Sequence, residues 1–315
     1  MLRKYTTILL TICVLTVFAQ TGKLFDADKQ LSSSFTSQVY LDHDGFIWVA
    51  TRNGLNKYDG YKFHILKKEL GTENGMASNY VNCMIQDKNG LFYMGMYGAF
   101  QTYDGDRFYD IEVTDLDKNV VPCYMTCFFL RKNDEILAGT SGHSLLKVTD
   151  RSHAQQVGGA LKDIHTINAI EEDLQGHVWL ATGNDGLLEY DGKTIKRYFN
   201  ASDTERSSMR RLSKDKDGNL YLGTSNQGVF VRPANGGDFK HIEVTGHKHI
   251  SGIYCNHKGK MMFGYDGTGL AIYDPVSGKI DDNPYFCREI DLNMSKVYSI
   301  VEDAGGNVWL GLLEK

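Results

Sequence analysis

Three groups of residues in this chain have types and spacings that could do chemistry. His241, His247, His249 and His257 form the only histidine cluster, and in an extended segment His247 and His249 would share one face, as two zinc ligands must. Glu171, Glu172 and Asp173 form an acidic run that could pair a general acid with a general base. Asp215, Asp217 and Gly218 open like a calcium-binding loop. Each group then misses a further requirement. His241 falls in a strand-like segment and His257 in a tight turn, so the ligand set is dispersed and solvated loop histidines are expected. Asp173 stands three residues before a turn glycine, as Asp42, Asp87, Asp215 and Asp303 stand before theirs, with repetition that marks a turn cap rather than a catalyst. The calcium-like loop lacks its third ligand and its distal glutamate. No phosphate-cradling glycine loop, nucleophile elbow or His-Glu-x-x-His pair is present. The sequence therefore predicts no catalytic residue, no metal and no cofactor.

The elements that would position any site come from a repeat. The turn residues Gly45, Gly90, Asp134, Gly176, Gly218, Gly259 and Gly306 follow one another at spacings of 45, 44, 42, 42, 41 and 47. Two and four residues after each of these pivots the side chains are apolar, as in Ile47 and Val49 or Leu220 and Leu222. Three after comes a large residue (Trp48, Tyr93, Leu137, Trp179, Tyr221, Met262, Trp309), and five after only Ala or Gly. Strand side chains alternate between faces, so this strand is buried on both, with a small residue where a neighbouring sheet comes close. An apolar pair precedes each later pivot by nine and six residues, for example Val81 and Met84, and the first copy is weaker, with Thr36 and Val39. Tyr58-Asp59-Gly60, Tyr103-Asp104-Gly105 and Tyr190-Asp191-Gly192 mark a later turn. Each copy reads as four short antiparallel strands, A to D, which is the unit of a β-propeller blade. The fold class is all-β: a seven-bladed β-propeller with four-stranded antiparallel blades, the last blade incomplete, and repeats near 36–66, 81–111, 125–148, 167–198, 209–242, 250–280 and 297–315. Residues 21–35 are expected to lend the last blade a closing strand.

Topology places the variable loops. The A–B and C–D turns, short and stereotyped, lie at one end of each blade, and the B–C loops and D–A connections lie at the other. Rigid scaffolds carry function on variable loops, so the second end is the candidate face. The B–C loops supply Arg52, Asn53, Tyr97, His143, Asn184, Asp185, Asn226, Gln227, Tyr265 and Asp266 as candidate ligand-binding residues. Amide, aromatic and hydroxyl groups suit a neutral polyhydroxylated ligand, although Asn, Asp and Gly are also ordinary turn formers.

Residues 1–19 are set apart from the array at 20–315. Arg3 and Lys4 precede an apolar run from Ile8 to Phe18, and Val17 and Ala19 fit a cleavage site before Gln20, so a secretory signal peptide, periplasmic export and no membrane insertion after cleavage are expected. The chain carries 34 basic and 39 acidic side chains, a net charge of −5, and loss of Arg3 and Lys4 makes the remainder more acidic. That balance excludes a nucleic-acid partner and disfavours a polyanion. Cys83, Cys123, Cys127, Cys255 and Cys287 are an odd set, so at least one is free or paired between chains. Cys83 and Cys127 occupy equivalent places on adjacent blades, where a disulfide or two small buried hydrophobes would fit.

The segments "DHDGFIWVATRNGLNKYDGYKF", "DLQGHVWLATGNDGLLEYDG" and "EDAGGNVWLG" resemble the two-component regulator propeller repeat. The resemblance implies the N-terminal periplasmic sensor region of a hybrid two-component histidine kinase and response regulator from glycan-degrading bacteria. Such proteins bind oligosaccharides released from polysaccharides and signal across the inner membrane. The family's later parts are a second propeller, an immunoglobulin-like domain, a membrane helix, a kinase and a DNA-binding regulator. None of them is readable in this chain, which is expected to be a truncated portion of such a sensor. The implied partner is an oligosaccharide, with a homodimer or strand pairing through the unfinished blade as a further expectation. The rival expectations are a propeller lyase or hydrolase using His143 and Asp185, and a protein-interaction scaffold.

Overall fold

The computed structural model describes residues 20–28, 30–199, 208–282, 284–288 and 290–313. The expected signal peptide and much of the 199–207 connection lie outside them. The array is an all-β propeller. Blade 1 is built from Thr36–Leu41, Ile47–Thr51, Gly54–Tyr58 and Phe63–Leu66, paired in that order and antiparallel throughout. Blades 2, 4, 5 and 6 repeat the plan from inner strands Val81–Gln86, Ile167–Glu172, Met209–Lys214 and Ile250–Cys255. Blade 3, which starts at Tyr124–Leu130, gains a fifth strand, because Glu112–Thr114 pairs in parallel with His153–Gln156 at its outer edge.

Six blades are present where a seven-bladed ring with an incomplete last blade was expected. Residues Lys296–Glu302 and Val308–Leu313 form a two-stranded sheet supplying strands A and B alone. The expected closing strand is also corrected: Gln20–Gly22 pairs in parallel with Tyr285–Cys287, while Phe25 stacks on Trp309 at 5.7 Å. The two-stranded sheet occupies the position between blade 6 and blade 1.

The repeat's large-beside-small rule has a direct packing cause. In blades 1 to 6 every residue of strand B from two to five after the pivot is buried. Trp48 and Ala50 of blade 1 pack against Phe92 and Met94 of blade 2. Trp179 and Ala181 of blade 4 meet Leu220 and Leu222 of blade 5, and Trp309 closes the circle on Ile47 and Val49. The small residue lies under the next blade's inner strand. A Cβ on Gly95 would sit 2.4 Å from Met125 Cβ, one on Gly139 2.9 Å from Ile167, and one on Gly223 2.5 Å from Ile250.

The inner strands carry a feature that the sequence pattern does not announce. All seven bulge at one register, between Thr36 and Gln38, Val81 and Cys83, Met125 and Cys127, Ile167 and Ala169, Met209 and Arg211, Ile250 and Gly252, and Val297 and Ser299. A bulge re-aims a side chain, and here it turns a polar group toward the neighbouring inner strand. Gln38 accepts from Met84 N, Asn82 donates to Met125 O, Thr126 to Ile167 O, and Asn168 to Met209 O. Arg211 then donates to Ser251 O at 2.8 Å, Ser251 to Val297 O at 2.6 Å, and Ser299 bonds both Val39 N and Val39 O. This belt of hydrogen bonds runs unbroken around the axis.

The turn cap predicted for the repeated aspartate is present in detail. Asp173 Oδ1 accepts from Gln175 N and His177 N, and Oδ2 accepts from Trp179 Nε1 at 2.9 Å. Asp42 with Trp48 and Asp303 with Trp309 do the same. The rest of the acidic run joins blades: Glu172 accepts from Arg131 of blade 3, and Glu171 pairs with Lys214 of blade 5.

Candidate functional site

The mouth of the central channel, at the B–C and D–A end, is framed by two residues per position in the ring. One stands ten residues before the pivot, at the start of strand A, and the other seven after it, at the end of strand B. Backbone hydrogen bonds join several of these pairs: Arg52 N to Phe35 O, Tyr97 N to Tyr80 O, Gly183 N to Thr166 O, Ser225 N to Ser208 O, and Asp266 N to His249 O. The bonds recur, but the side chains they present do not.

Blades 1 to 3 contribute an aromatic arc. The Tyr80 and Tyr97 rings are 6.3 Å apart and parallel within 2°, and Tyr124 meets Tyr97 edge-on at 6.4 Å. The Tyr124 hydroxyl donates to the Tyr80 hydroxyl at 3.4 Å. Burial, and then this bond, hold the Tyr124 phenol protonated well above its ordinary range. The Arg52 guanidinium lies 4.6 Å from the Phe35 ring centre and 5.6 Å from that of Tyr80. Tyr97 is 67% exposed and Phe35 43%, so much of this aromatic surface faces solvent. Among the described residues, blades 4 and 5 place the small Thr166, Gly183, Ser208 and Ser225 at these rim positions. The remaining arc is ionic: Asp266 Oδ2 pairs with Lys296 and stands 3.7 Å from His249 Nδ1. Burial, then the Arg210 charge, hold His249 below the ordinary imidazole value, so it is neutral at pH 7.

Of the candidates named from sequence, Arg52, Tyr97 and Asp266 belong to this rim. Asn53, His143, Asp185 and Gln227 lie further along the turn toward strand C, and their backbone N–H groups are bound by Thr51, Thr140, Thr182 and Thr224. Asn184 and Asn226 are exposed turn residues between these points. Tyr265 is corrected outright. It is the last residue of strand B in blade 6, 1% exposed, and its hydroxyl has no partner among the described residues. It takes the register of Thr51, Thr140, Thr182 and Thr224, whose hydroxyls each bond a turn carbonyl that the longer tyrosine overshoots.

Phe35, Tyr80, Tyr124, His249 and Lys296 are rim residues that the loop-by-loop reading overlooked. Their signal is a single register, ten before the pivot, that varies from aromatic through small and polar to charged around the ring, while the position after it is apolar in every copy but the first. His143 and Asp185, the rival catalytic pair, stand in separate turns, where Thr140 and Thr182 bind their backbone N–H groups, and Arg197 donates to Asp185 at 3.3 Å. The histidine cluster is likewise dispersed, since His257 bonds Glu302 at 2.6 Å and His241 stands 3.3 Å from Glu243. Asp173, His177 and Glu189 converge closely enough to hold a metal ion. Their oxygens and nitrogens are already used by the turn, by Trp179 and by the Tyr198 hydroxyl. Cys83, Cys123, Cys127 and Cys255 are free thiols. An apolar groove of about 770 Å³ lies on the flank of the ring between blade 1 and the two-stranded sheet, lined by Phe25, Val39, Tyr58 and Trp309.

Comparison with known proteins agrees with this architecture. Residues 30–53 match the family model described as two component regulator propeller. No curated protein matches the sequence. Among solved structures, the extracellular domain of the putative hybrid two component system BT3049 from B. thetaiotaomicron is similar at 19% identity and a TM-score of 0.76, over 92% of this chain and 40% of that one. The extracellular domain of BT4673 from the same organism is similar at 18% identity and a TM-score of 0.68, over 93% of this chain and 38% of that one. Virginiamycin B lyase from Staphylococcus aureus is similar at 13% identity and a TM-score of 0.65, over 88% of this chain and 91% of that one. The chain spans about two-fifths of the length of the two-component structures. Identities this low establish the propeller fold alone. Among the described residues no helix is long and apolar enough to cross a membrane.

Proposed function

We propose, from the premise that this chain carries two-component regulator propeller repeats, that it is the ligand-sensing propeller of a two-component system, works in the periplasm, and recognises oligosaccharides at its channel mouth. The observation that carries the reading is the aromatic arc of Phe35, Tyr80, Tyr97 and Tyr124, with its largely exposed Tyr97 ring. Flat rings offer sugar C–H faces an apolar surface, and the phenols and Arg52 offer hydroxyl-bonding groups beside it. A sensing role fits better than an enzymatic one, because His143 and Asp185 sit in turns of different blades and Asp185 is engaged by Arg197. Pairing with a second chain through the outer edge of Val308–Leu313 belongs to the same reading.

Isothermal calorimetry against a panel of oligosaccharides, neutral and acidic, tests the proposal. At least one should bind without being turned over. Tyr97→Ala should weaken it by about tenfold while changing stability by only ~0.5 kcal/mol, as expected for an exposed residue. Binding that Tyr97→Ala leaves intact would remove the rim from the site, and turnover of a panel member would favour the enzyme.

A further inference from the structure

The channel below the aromatic rim holds positive charge that the fold does not require. In blade 5 the bulge falls on two adjacent arginines, Arg210 and Arg211. Elsewhere a serine, threonine, asparagine or glutamine makes the belt bond, so a neutral side chain suffices there. In blade 5 Arg211 makes it, through Nε to Ser251 O, and its Nη1 donates to Arg210 O at 3.0 Å. Arg210 is thus spare to the belt. Among the described residues no carboxylate forms an ion pair with either arginine. Arg211 reaches the inner strand of blade 6 through its bond to Ser251 O.

Among the described residues nothing neutralises this charge by an ion pair, and the rim carboxylate Asp266 is already paired with Lys296 and close to His249. Burial, then the like charge of Arg210, bring Arg211 down to about 10, which still leaves it protonated at pH 7. The concentration stands out in a chain whose net charge is −5. Two guanidinium groups without a carboxylate partner among the described residues attract an anion, and the fork of Arg210, which the belt leaves unused, is matched best by a carboxylate, which can accept from it through both oxygens.

We infer that the channel mouth is specific for an acidic oligosaccharide, a uronate whose carboxylate is held by Arg210 and Arg211 while a ring of the same ligand stacks on the Tyr97 face. The inference rests on the oligosaccharide reading and replaces the neutral ligand expected from composition. The acidic net charge does not weigh against it, because a ligand in the channel would meet a few side chains rather than the whole surface.

The test is calorimetry with galacturonate, glucuronate and mannuronate trimers, each measured beside its methyl ester, which has the same rings without the charge. One acid should bind roughly tenfold or more tightly than its ester, and added salt should narrow the gap. Arg210→Gln should remove that preference while leaving affinity for the ester unchanged. Arg210 makes no belt bond through its side chain, so this variant should fold, and circular dichroism checks that it does. Arg210→Lys, which keeps the charge without the fork, should recover part of the preference. Equal binding of acid and ester, or binding of neutral panel sugars alone, would overturn the acidic inference and leave the oligosaccharide reading standing. If neither these nor the neutral panel binds, both readings fall.

Discussion

The belt and the rim are built on the same inner strands, two or three residues apart, yet they follow opposite rules. At the belt every strand bulges at one register, and a polar side chain reaches the next strand's backbone in every position of the ring. At the rim the backbone bonds recur while the side chains run from Phe35 and Tyr80 through Thr166 and Ser208 to His249 and Lys296. A propeller needs the same contact at every blade junction to close, so repetition marks structure. A ligand needs different groups on different sides, so departure from the repeat marks recognition. Arg210 and Arg211 are informative because they break the rule inside the belt itself.

The contrast is tested hardest where repetition is strongest. Trp179 is fully buried, packs on Tyr198 at 5.1 Å and Phe239 at 5.7 Å, and donates to Asp173. Trp179→Ala should cost about 3–5 kcal/mol, the usual range for emptying a large aromatic site. It also leaves Asp173 Oδ2 without its indole partner. Urea unfolding reads the loss, while ligand affinity of the folded fraction should hold. A small stability loss with a large affinity loss would reverse the assignment of roles.

Gly95→Ala comes next. Its Cβ would fall 2.4 Å from Met125 Cβ and 2.9 Å from Cys83 Sγ, so blades 2 and 3 must separate or Met125 must move. Overpacking of this kind costs about 1–3 kcal/mol. Ala50 and Ala181 occupy the equivalent place in blades 1 and 4 with no exposure, so the penalty belongs to this junction and not to alanine. Thermal unfolding beside a Gly95→Ala/Met125→Gly double variant, which takes away the Met125 Cβ, and beside each single variant checks the cause. The double variant should recover part of the clash term, and strictly additive losses would refute steric crowding.

This contrast also sorts what could be read from the sequence. Strand B was legible because its burial on both faces and its small fifth residue recur in all seven copies. The turn role of Asp173 was legible for the same reason. The bulge was not, since it is a backbone event with no residue type of its own: Ser37, Asn82 and Arg210 all sit at it. The rim was half legible. Loop position pointed to Arg52, Tyr97 and Asp266, but Tyr80, Tyr124 and His249 belong to strand ends and emerge only when the copies are compared at the positions where they differ. Tyr265 was misplaced because the following Asp266-Gly267 reads as a turn beginning one residue early. Six blades stand where seven were read because the last pivot brings only two strands with it.

The smallest effect is expected at the opposite end of the molecule, in the C–D turns. Asp191 Oδ1 accepts from Lys193 N and Thr194 N, and these bonds, chiefly the one to Thr194, hold the carboxyl down at about 2. An unperturbed aspartate titrates near 3.9. Because the folded value is the lower one, the charged form is favoured by folding, and its contribution is complete above the unfolded value. It fades as pH falls from about 4 to about 2 and is gone below that. Asp191 is fully exposed, so solvent screens the gain, and Asp191→Ala should lower the melting temperature only slightly at pH 7. The difference between the two proteins should shrink across that acid window, whatever the other carboxylates do to both. A difference that stays constant down to pH 2 would mean that the turn is held by its backbone alone. The aspartate would then be a repeated residue without a repeated function, which is the sharpest exception this contrast between belt and rim could meet.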